Sequence, residues 1–122
     1  MSELELKKRT KQCGLRVMKL VGALPAHSVG QAIAPQLIRS RTSVEANYRS
    51  ACRGRSKAEF IAKFGVVVEQ ADESAYCLKL IVEGELLATN LVEPLLQEAS
   101  ELTAIMVASR KSAQSSIKNQ KS

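Results

Sequence analysis

The sequence predicts an all-α protein that folds as an up-down-up-down antiparallel four-helix bundle. Apolar residues make up 45% of the chain but aromatic residues only 3%, with no tryptophan, so Leu, Ile, Val and Ala must fill the core. Such a core suits helix-on-helix packing. Three prolines and six glycines are too few for the many turns of a β-sandwich. Three segments of about 22 to 28 residues carry apolar side chains at helical steps, and similar lengths joined by short turns favour an antiparallel bundle.

The first two helices are predicted over residues 3–24 and 28–53. Apolar residues of the first helix recur at three- and four-residue steps, at Leu6, Cys13, Val17, Leu20 and Leu24. Pro25 ends this helix, because proline cannot continue it. Ser28 and Gln31 have the spacing of a capping box, which predicts the start of the second helix, and Gly54 closes it.

The third helix is predicted to run from Ser56, which forms a capping box with Glu59, to about Gly84. A looser stretch over residues 84–92 leads to a fourth helix with Pro94 near its first turn. We expect a bundle over residues 1–111 and a disordered, polar and basic tail over residues 112–122.

The three cysteines, Cys13, Cys52 and Cys77, are predicted to be free thiols, because their number is odd and their spacing fits neither a disulfide framework nor a zinc site. Free thiols indicate a reducing compartment. The N-terminal residues lack the apolar region of a secretory signal, and no apolar run approaches the ~20 residues that span a membrane. We therefore expect a cytoplasmic protein that does not contact membranes.

The net charge is +6, and it is unevenly placed along the chain. Residues 7–63 hold thirteen basic and two acidic side chains, whereas residues 69–101 hold eight acidic and one basic. Residues 110–121 add four basic side chains and no acidic one. The molecule is therefore predicted to be electrically bipolar.

Bundle topology gathers three basic segments at one end, because the first helix begins where the second meets the third and where the fourth ends. The predicted nucleic-acid-binding residues at this basic pole are Lys7, Lys8, Arg9, Lys11, Arg49, Arg53, Arg55, Lys57, Arg110 and Lys111. Basic groups at helix C-termini complement the helix dipole, but the cluster at residues 7–11 lies where a helix prefers acids. Such a cluster favours a polyanionic partner. Tyr48 is the one aromatic residue expected to be exposed there, so base stacking is disfavoured.

A stripe of polar residues follows one face of the second helix at three- and four-residue steps. We expect a structural polar network in which Arg39 and Arg41 of this helix face carboxylates of the third. Its predicted members are Gln36, Arg39, Ser40, Ser43, Asn47, Glu69 and Glu73. The alternative is a solvated face.

Catalytic machinery is not indicated by any motif. Glu69 and Glu73 have helical spacing, but the metal-binding bundles need His partners, and the single histidine, His27, is distant along the chain. The chain has no glycine-rich phosphate loop. We expect no enzyme activity, no cofactor, no metal and no small-molecule substrate.

The run from Gln36 to Ala51, QLIRSRTSVEANYRSA, resembles the signature of the bacterial four-helix-bundle proteins first noticed as reading frames in intervening sequences of 23S rRNA genes. Three further features agree: Leu24-Pro25, Ser56-x-x-Glu59-Phe60-Ile61, and Glu69-x-x-x-Glu73-x-x-Tyr76-x-Leu78. The resemblance covers roughly residues 9–110. Two positions depart from it, since Ser50 stands where relatives often carry Glu and Cys77 where they often carry Trp.

The resemblance implies a homo-oligomer, a pentameric ring of bundles. Related bundles are accessory proteins of diversity-generating retroelements, in which a basic pentamer binds reverse transcriptase and nucleic acid. By analogy, we expect a homo-oligomeric protein that binds RNA or DNA at its basic pole. The alternative is an oligomeric scaffold that binds a protein partner, such as a reverse transcriptase, without touching nucleic acid.

Overall fold

The chain folds into four α-helices: α1 (Glu3–Gly22), α2 (Ser28–Cys52), α3 (Lys57–Glu83) and α4 (Thr89–Lys121). The computed structural model describes the backbone of residues 1–121 and the side chains of residues 1–118. Contacts join α1 to α2, α2 to α3, α3 to α4 and α4 to α1, whereas α1 and α3 lie diagonally opposite. This arrangement confirms the predicted four-helix bundle.

One apolar stripe from each helix forms the core. The buried side chains are aliphatic for the most part, as the composition requires, and include Val17, Leu37, Val44, Val67, Leu78, Ile81, Val92, Leu102 and Met106. Aromatic rings gather near the basic pole, where Phe64 stacks on Phe60 with ring centroids 4.9 Å apart and meets Tyr48 edge-on at 5.7 Å. Tyr48 is only 4% exposed, so the prediction of an exposed aromatic at this position is wrong. Its ring is apolar enough to be drawn into the core.

Side chains cap three of the helix starts. Ser2 Oγ accepts from the backbone N–H of Glu5 at 3.1 Å, and Ser56 Oγ accepts from that of Glu59 at 3.0 Å. The Ser56 cap is as predicted. At α2 the cap is His27 rather than Ser28, because His27 Nδ1 accepts from the N–H of Gly30 at 3.5 Å. Gly30 also allows the chain to fold back closely, since a Cβ there would lie 2.2 Å from the carbonyl oxygen of Pro25.

The fourth helix extends further in both directions than the sequence predicts. It begins at Thr89, so Pro94 lies inside its second turn, and it continues to Lys121 instead of ending near residue 111. The segment after Lys111 contains no Pro or Gly to stop a helix. A hydrogen bond 2.6 Å long from Lys57 Nζ to Ser116 Oγ ties this extension to the start of α3. Residue 112 therefore does not mark a change in secondary structure; Ser122, the last residue of the predicted tail, lies outside the described residues.

Candidate nucleic-acid interface

The helix ends that carry the basic segments come together at one pole of the bundle, as predicted. A surface depression of about 280 Å³ at this pole draws its lining from all four helices. The lining residues are Met1, Ser2, Glu3, Leu6, Tyr48, Cys52, Phe60, Phe64 and Ser109. The start of α1, the turn between α2 and α3, and the later part of α4 are therefore neighbours in space.

A second depression of about 290 Å³, which we call the basic groove, runs between α1 and α2 beside this pole. Its lining residues are Lys7, Lys8, Thr10, Lys11, Glu45, Tyr48 and Arg49. Four cations therefore share the groove with one carboxylate. Lys7 pairs with Glu3 at 3.1 Å, while Lys8, Lys11 and Arg49 are exposed and have no carboxylate within 4 Å among the described side chains.

Two lining residues of the basic groove are not indicated by sequence reasoning. Thr10 is fully buried, and its Oγ1 makes no hydrogen bond within the described part of the chain. The carboxylate of Glu45 lies against Gly14, since a Cβ at Gly14 would be 3.6 Å from Glu45 Oε2. Both placements depend on which turns of α1 and α2 face each other, and neither residue belongs to a motif that would reveal this.

Around the turn between α2 and α3 the predicted cations are exposed. Arg53, Arg55 and Lys57 lie on this turn, and Lys111 lies on the exposed side of α4. Within residues 1–118 none of the four charged side-chain groups has a carboxylate within 4 Å, although the backbone N–H of Arg55 donates to Glu59 Oε2 at 3.3 Å. Their charges are therefore available to a ligand.

Two of the predicted cations instead hold helices together. Arg9 on α1 pairs with two carboxylates on α4. Its Nε donates to Glu98 Oε2 at 3.1 Å and its Nη2 to Glu98 Oε1 at 2.5 Å. Its Nη2 also lies 3.2 Å from Glu101 Oε1. Arg110 crosses from α4 to α3, where its Nε donates to the carbonyl oxygen of Ile61 at 3.1 Å. These side chains lie away from the basic groove because they point from their helices toward a neighbouring one.

The pair of Arg9 and Glu98 makes a testable contribution to stability. The bidentate hydrogen bond from Arg9 lowers the pKa of Glu98. A carboxyl whose pKa is lower in the folded state stabilises it above the unfolded pKa, and this contribution is lost as the pH falls. We expect Glu98→Gln to lower the free energy of unfolding by about 1 kcal/mol at pH 7, with a difference that shrinks as the pH falls below about 4.3.

Urea unfolding of both proteins between pH 7 and pH 3 measures this difference. Glu101→Gln is the matched control, because Glu101 is more exposed and makes only one contact to Arg9. A loss that is independent of pH would contradict the ion pair as its source.

The predicted polar network between α2 and α3 does not form as expected. Arg39, Glu69 and Glu73 are all exposed, and no ion pair joins them, so their predicted pairing is wrong. The buried positions of α3 are Val67, Ala71, Ser74 and Leu78, which turns the carboxylates outward. Gln36 is exposed as well.

The remaining members of the polar stripe make local hydrogen bonds within α2. Ser40 is buried, and its hydroxyl donates to the carbonyl oxygen of Leu37 at 3.2 Å. Asn47 Nδ2 donates to both the carbonyl oxygen and the hydroxyl of Ser43 at 2.8 Å. These bonds satisfy the side chains without linking α2 to α3.

Arg41 does reach across from α2 to α3, as predicted, but its partner there is a hydroxyl and not a carboxylate. It is the largest side chain that the described bundle buries completely, at 0% exposure. Its Nη1 donates to Ser74 Oγ at 3.4 Å, while Nε and Nη2 have no partner within the described residues. Burial lowers the pKa of this guanidinium. A buried charge so poorly bonded is costly.

Over the described residues, no three His, Cys, Asp or Glu side chains come close enough together to hold a metal ion. No helix in the same part of the chain is long and apolar enough to cross a membrane. Cys13 and Cys77 are buried and Cys52 is half-buried, and all three are free thiols, as predicted.

Comparison with known proteins identifies the family. The family model for the 23S rRNA-intervening sequence protein matches residues 2–108. A crystal structure of a protein of unknown function from Bacteroides thetaiotaomicron, assigned to the S23 ribosomal protein family, superposes with a TM-score of 0.82 and 25% sequence identity. The superposition covers 91% of this chain and 99% of the other. No curated protein matches the chain significantly.

The family match covers most of the chain, including the run in α2 on which the resemblance depends, and the structural neighbour has the same helical fold along nearly its whole length. The chain therefore belongs to the 23S rRNA-intervening sequence protein family.

Proposed function

We propose that this protein is a non-catalytic, homo-oligomeric nucleic-acid-binding protein of the cytoplasm that contacts RNA phosphates with its basic pole. The observation that carries the proposal is the convergence of unpaired cations there. Lys8 and Arg49 line the basic groove, and Arg53, Arg55 and Lys57 surround the adjacent turn. Lysine and arginine side chains that neutralise phosphates release counterions, which supplies affinity without base recognition.

Recognition of phosphates rather than bases is supported by the aromatic side chains. Tyr48 is buried in the core, and Tyr76, at 59% exposure, lies on α3 some five turns from its start at the basic pole. Little aromatic surface is therefore presented beside the cations for a base to stack on, since Tyr48 is 4% exposed and Phe60 is half-buried and stacked on Phe64. The expected ligand is a structured RNA held by charge and shape.

The oligomer in this proposal is a ring in which α1 of one copy packs on α3 of the next. These helices lie at diagonal corners of the bundle, so one surface patch can meet a different patch on a neighbour and close a cycle. The outer face of α1 exposes Leu15 and Met18, and that of α3 exposes Val66 and Tyr76. Exposed apolar side chains clustered on two faces are typical of an interface.

Charge supports the same pairing of faces. Gly14 of α1 lies beside Glu45 of α2, and Arg41 of α2 contacts Ser74 of α3. Together the two contacts place Gly14 at the same height along the bundle as the residues around Glu69. In a ring whose copies are parallel, Lys11 then lies within a turn of the neighbour's Glu69. Lys7, Lys8 and Arg49 remain in the basic groove for phosphate.

The test is RNA binding by the full-length protein across a salt series. We expect the slope of log K against log salt to become less steep by about 2 to 3 when Arg49, Arg53 and Arg55 are all changed to Gln. Changing Lys19, Arg39 and Lys79 to Gln removes the same charge away from the basic pole, and this control should leave the slope nearly unchanged. Equal effects of the two triple variants, or no binding at low salt, would overturn the proposal.

A further inference from the structure

An apolar groove lies at the opposite pole from the proposed nucleic-acid surface, between the end of α1 and the start of α4. Its volume is about 360 Å³, and we call it the leucine groove. The lining residues are Arg16, Lys19, Leu20, Ala23, Leu87, Leu91 and Leu95. Leu91 is 59% exposed, which is unusual for a leucine that lies among four other aliphatic side chains.

Two cations border the leucine groove on its α1 side. Arg16 and Lys19 are exposed, and neither has a carboxylate within 4 Å among the described side chains. Glu98 on α4 feels the charge of Arg16, but its carboxylate oxygens accept hydrogen bonds from Arg9. Lys19 complements the C-terminal end of the α1 dipole, but Arg16 is more than a turn from that end.

The shape and charge of the leucine groove define its occupant. Leu91 is exposed and lies one turn before Leu95, which is buried in the core, so Leu91 offers the apolar wall against which the side chains of another helix can pack. The groove is open to solvent at Leu91, which suits a helix that lies on the surface rather than an enclosed acyl chain. The two cations lie along one edge, where acidic residues flanking an apolar stripe would meet them.

We propose that the leucine groove binds an acidic amphipathic helix of a protein partner. Apolar side chains of that helix, spaced one turn apart, pack between Leu20 on α1 and Leu91 and Leu95 on α4. Its carboxylates pair with Arg16 and Lys19. This surface is separate from the basic pole, so the protein can hold a partner and a nucleic acid at the same time.

The experiment measures binding of a fluorescein-labelled model peptide to the full-length protein by fluorescence anisotropy. The peptide is built of Leu, Ala and Glu over about four helical turns, with Leu at three- and four-residue steps and Glu beside them. A matched peptide carries Lys in place of every Glu. We expect the acidic peptide to bind at least about tenfold more tightly than the basic one, since two charge pairs distinguish them.

Variants of the groove locate the binding. Leu91→Ser should weaken binding by about tenfold or more, and changing Arg16 and Lys19 to Glu should reverse the preference between the two peptides. Val29→Ser is the control, because Val29 is exposed near the same pole but does not line the groove. Circular dichroism checks that each variant keeps its helices.

Three outcomes would overturn the proposal. The first is equal binding of the two peptides, and the second is an affinity that Leu91→Ser leaves unchanged. The third is tighter binding of dodecanoate than of the acidic peptide at the same groove, which would make it a lipid site. None of these results depends on RNA binding or on oligomerisation.

Discussion

Replacing Arg41 by methionine is expected to raise the free energy of unfolding by about 1–4 kcal/mol. Arg41 is fully buried, and its guanidinium makes one long hydrogen bond, 3.4 Å to Ser74 Oγ. Its Nε and Nη2 make none within the described structure. Methionine has a similar length and flexibility, so it can fill the site without the cost of taking a charge out of water.

Removing the partner of Arg41 is the complementary test of the same buried contact. Ser74→Ala removes the one hydroxyl that Arg41 contacts, and we expect it to lower the free energy of unfolding by about 1–3 kcal/mol. In the background of Arg41→Met, the same serine substitution should cost much less, because no charged donor is left without its acceptor. Urea unfolding of the four proteins at pH 7 completes the cycle.

Arg39→Met is the matched control for Arg41→Met. The two arginines lie on the same helix, but Arg39 is exposed, so its replacement should change the free energy of unfolding by no more than about 0.5 kcal/mol. A strong loss of stability in Arg41→Met would contradict the expectation.

Helix number, order and pairing could be predicted from the sequence because they rest on local rules. Apolar residues at helical steps mark the core faces, and Ser56 with Glu59 marks the start of α3. Counting outward from residue 55 gives the level at which α2 meets α3 only approximately. It places Arg41 opposite Glu69, whereas the long Arg41 side chain contacts Ser74, which lies more than a turn further along α3.

The rotation of each helix about its axis could not be predicted in the same way. Arg39 and Arg41 are two positions apart, so they point to nearly opposite sides of a helix. The sequence places both near the α3 carboxylates, yet one is exposed and the other is buried against a hydroxyl. The spacing of the polar residues along α2 does not indicate which of these two arginines faces the core.

Contacts between residues that are distant in sequence could not be predicted either. Arg9 and Glu98 are 89 positions apart, and their pairing depends on how α1 and α4 meet. As a member of a basic cluster, Arg9 fits a nucleic-acid surface, but a bidentate carboxylate now occupies its donors. The basic pole keeps its positive charge without Arg9, because Lys8, Arg49, Arg53 and Arg55 lie exposed there.

Assembly is the second property for which we expect a large effect. In the proposed ring, Met18 of one copy packs near Tyr76 of the next, where both side chains leave water. Met18→Glu places an unpaired carboxylate in each of these contacts, and burying such a charge costs several kcal/mol. We expect the variant to be monomeric under conditions in which the unmodified protein is an oligomer, with its helix content unchanged.

Light scattering with size-exclusion chromatography measures the mass of each protein. Val29→Glu is the control, since Val29 is similarly exposed but lies at the start of α2, away from both outer faces. It should leave the mass unchanged. If the unmodified protein is a monomer, or if Val29→Glu dissociates the oligomer and Met18→Glu does not, the proposed interface is wrong.

Lys11 and Glu69 provide the test of how the faces pair. Either single exchange, Lys11→Glu or Glu69→Lys, places like charges opposite each other at the contact between neighbouring copies. We expect it to weaken assembly modestly, because an exposed ion pair contributes about 0–1 kcal/mol. Exchanging both restores opposite charges and should recover it. Recovery in the double variant requires that α1 of one copy faces α3 of another, since the two helices share no contact within a single bundle.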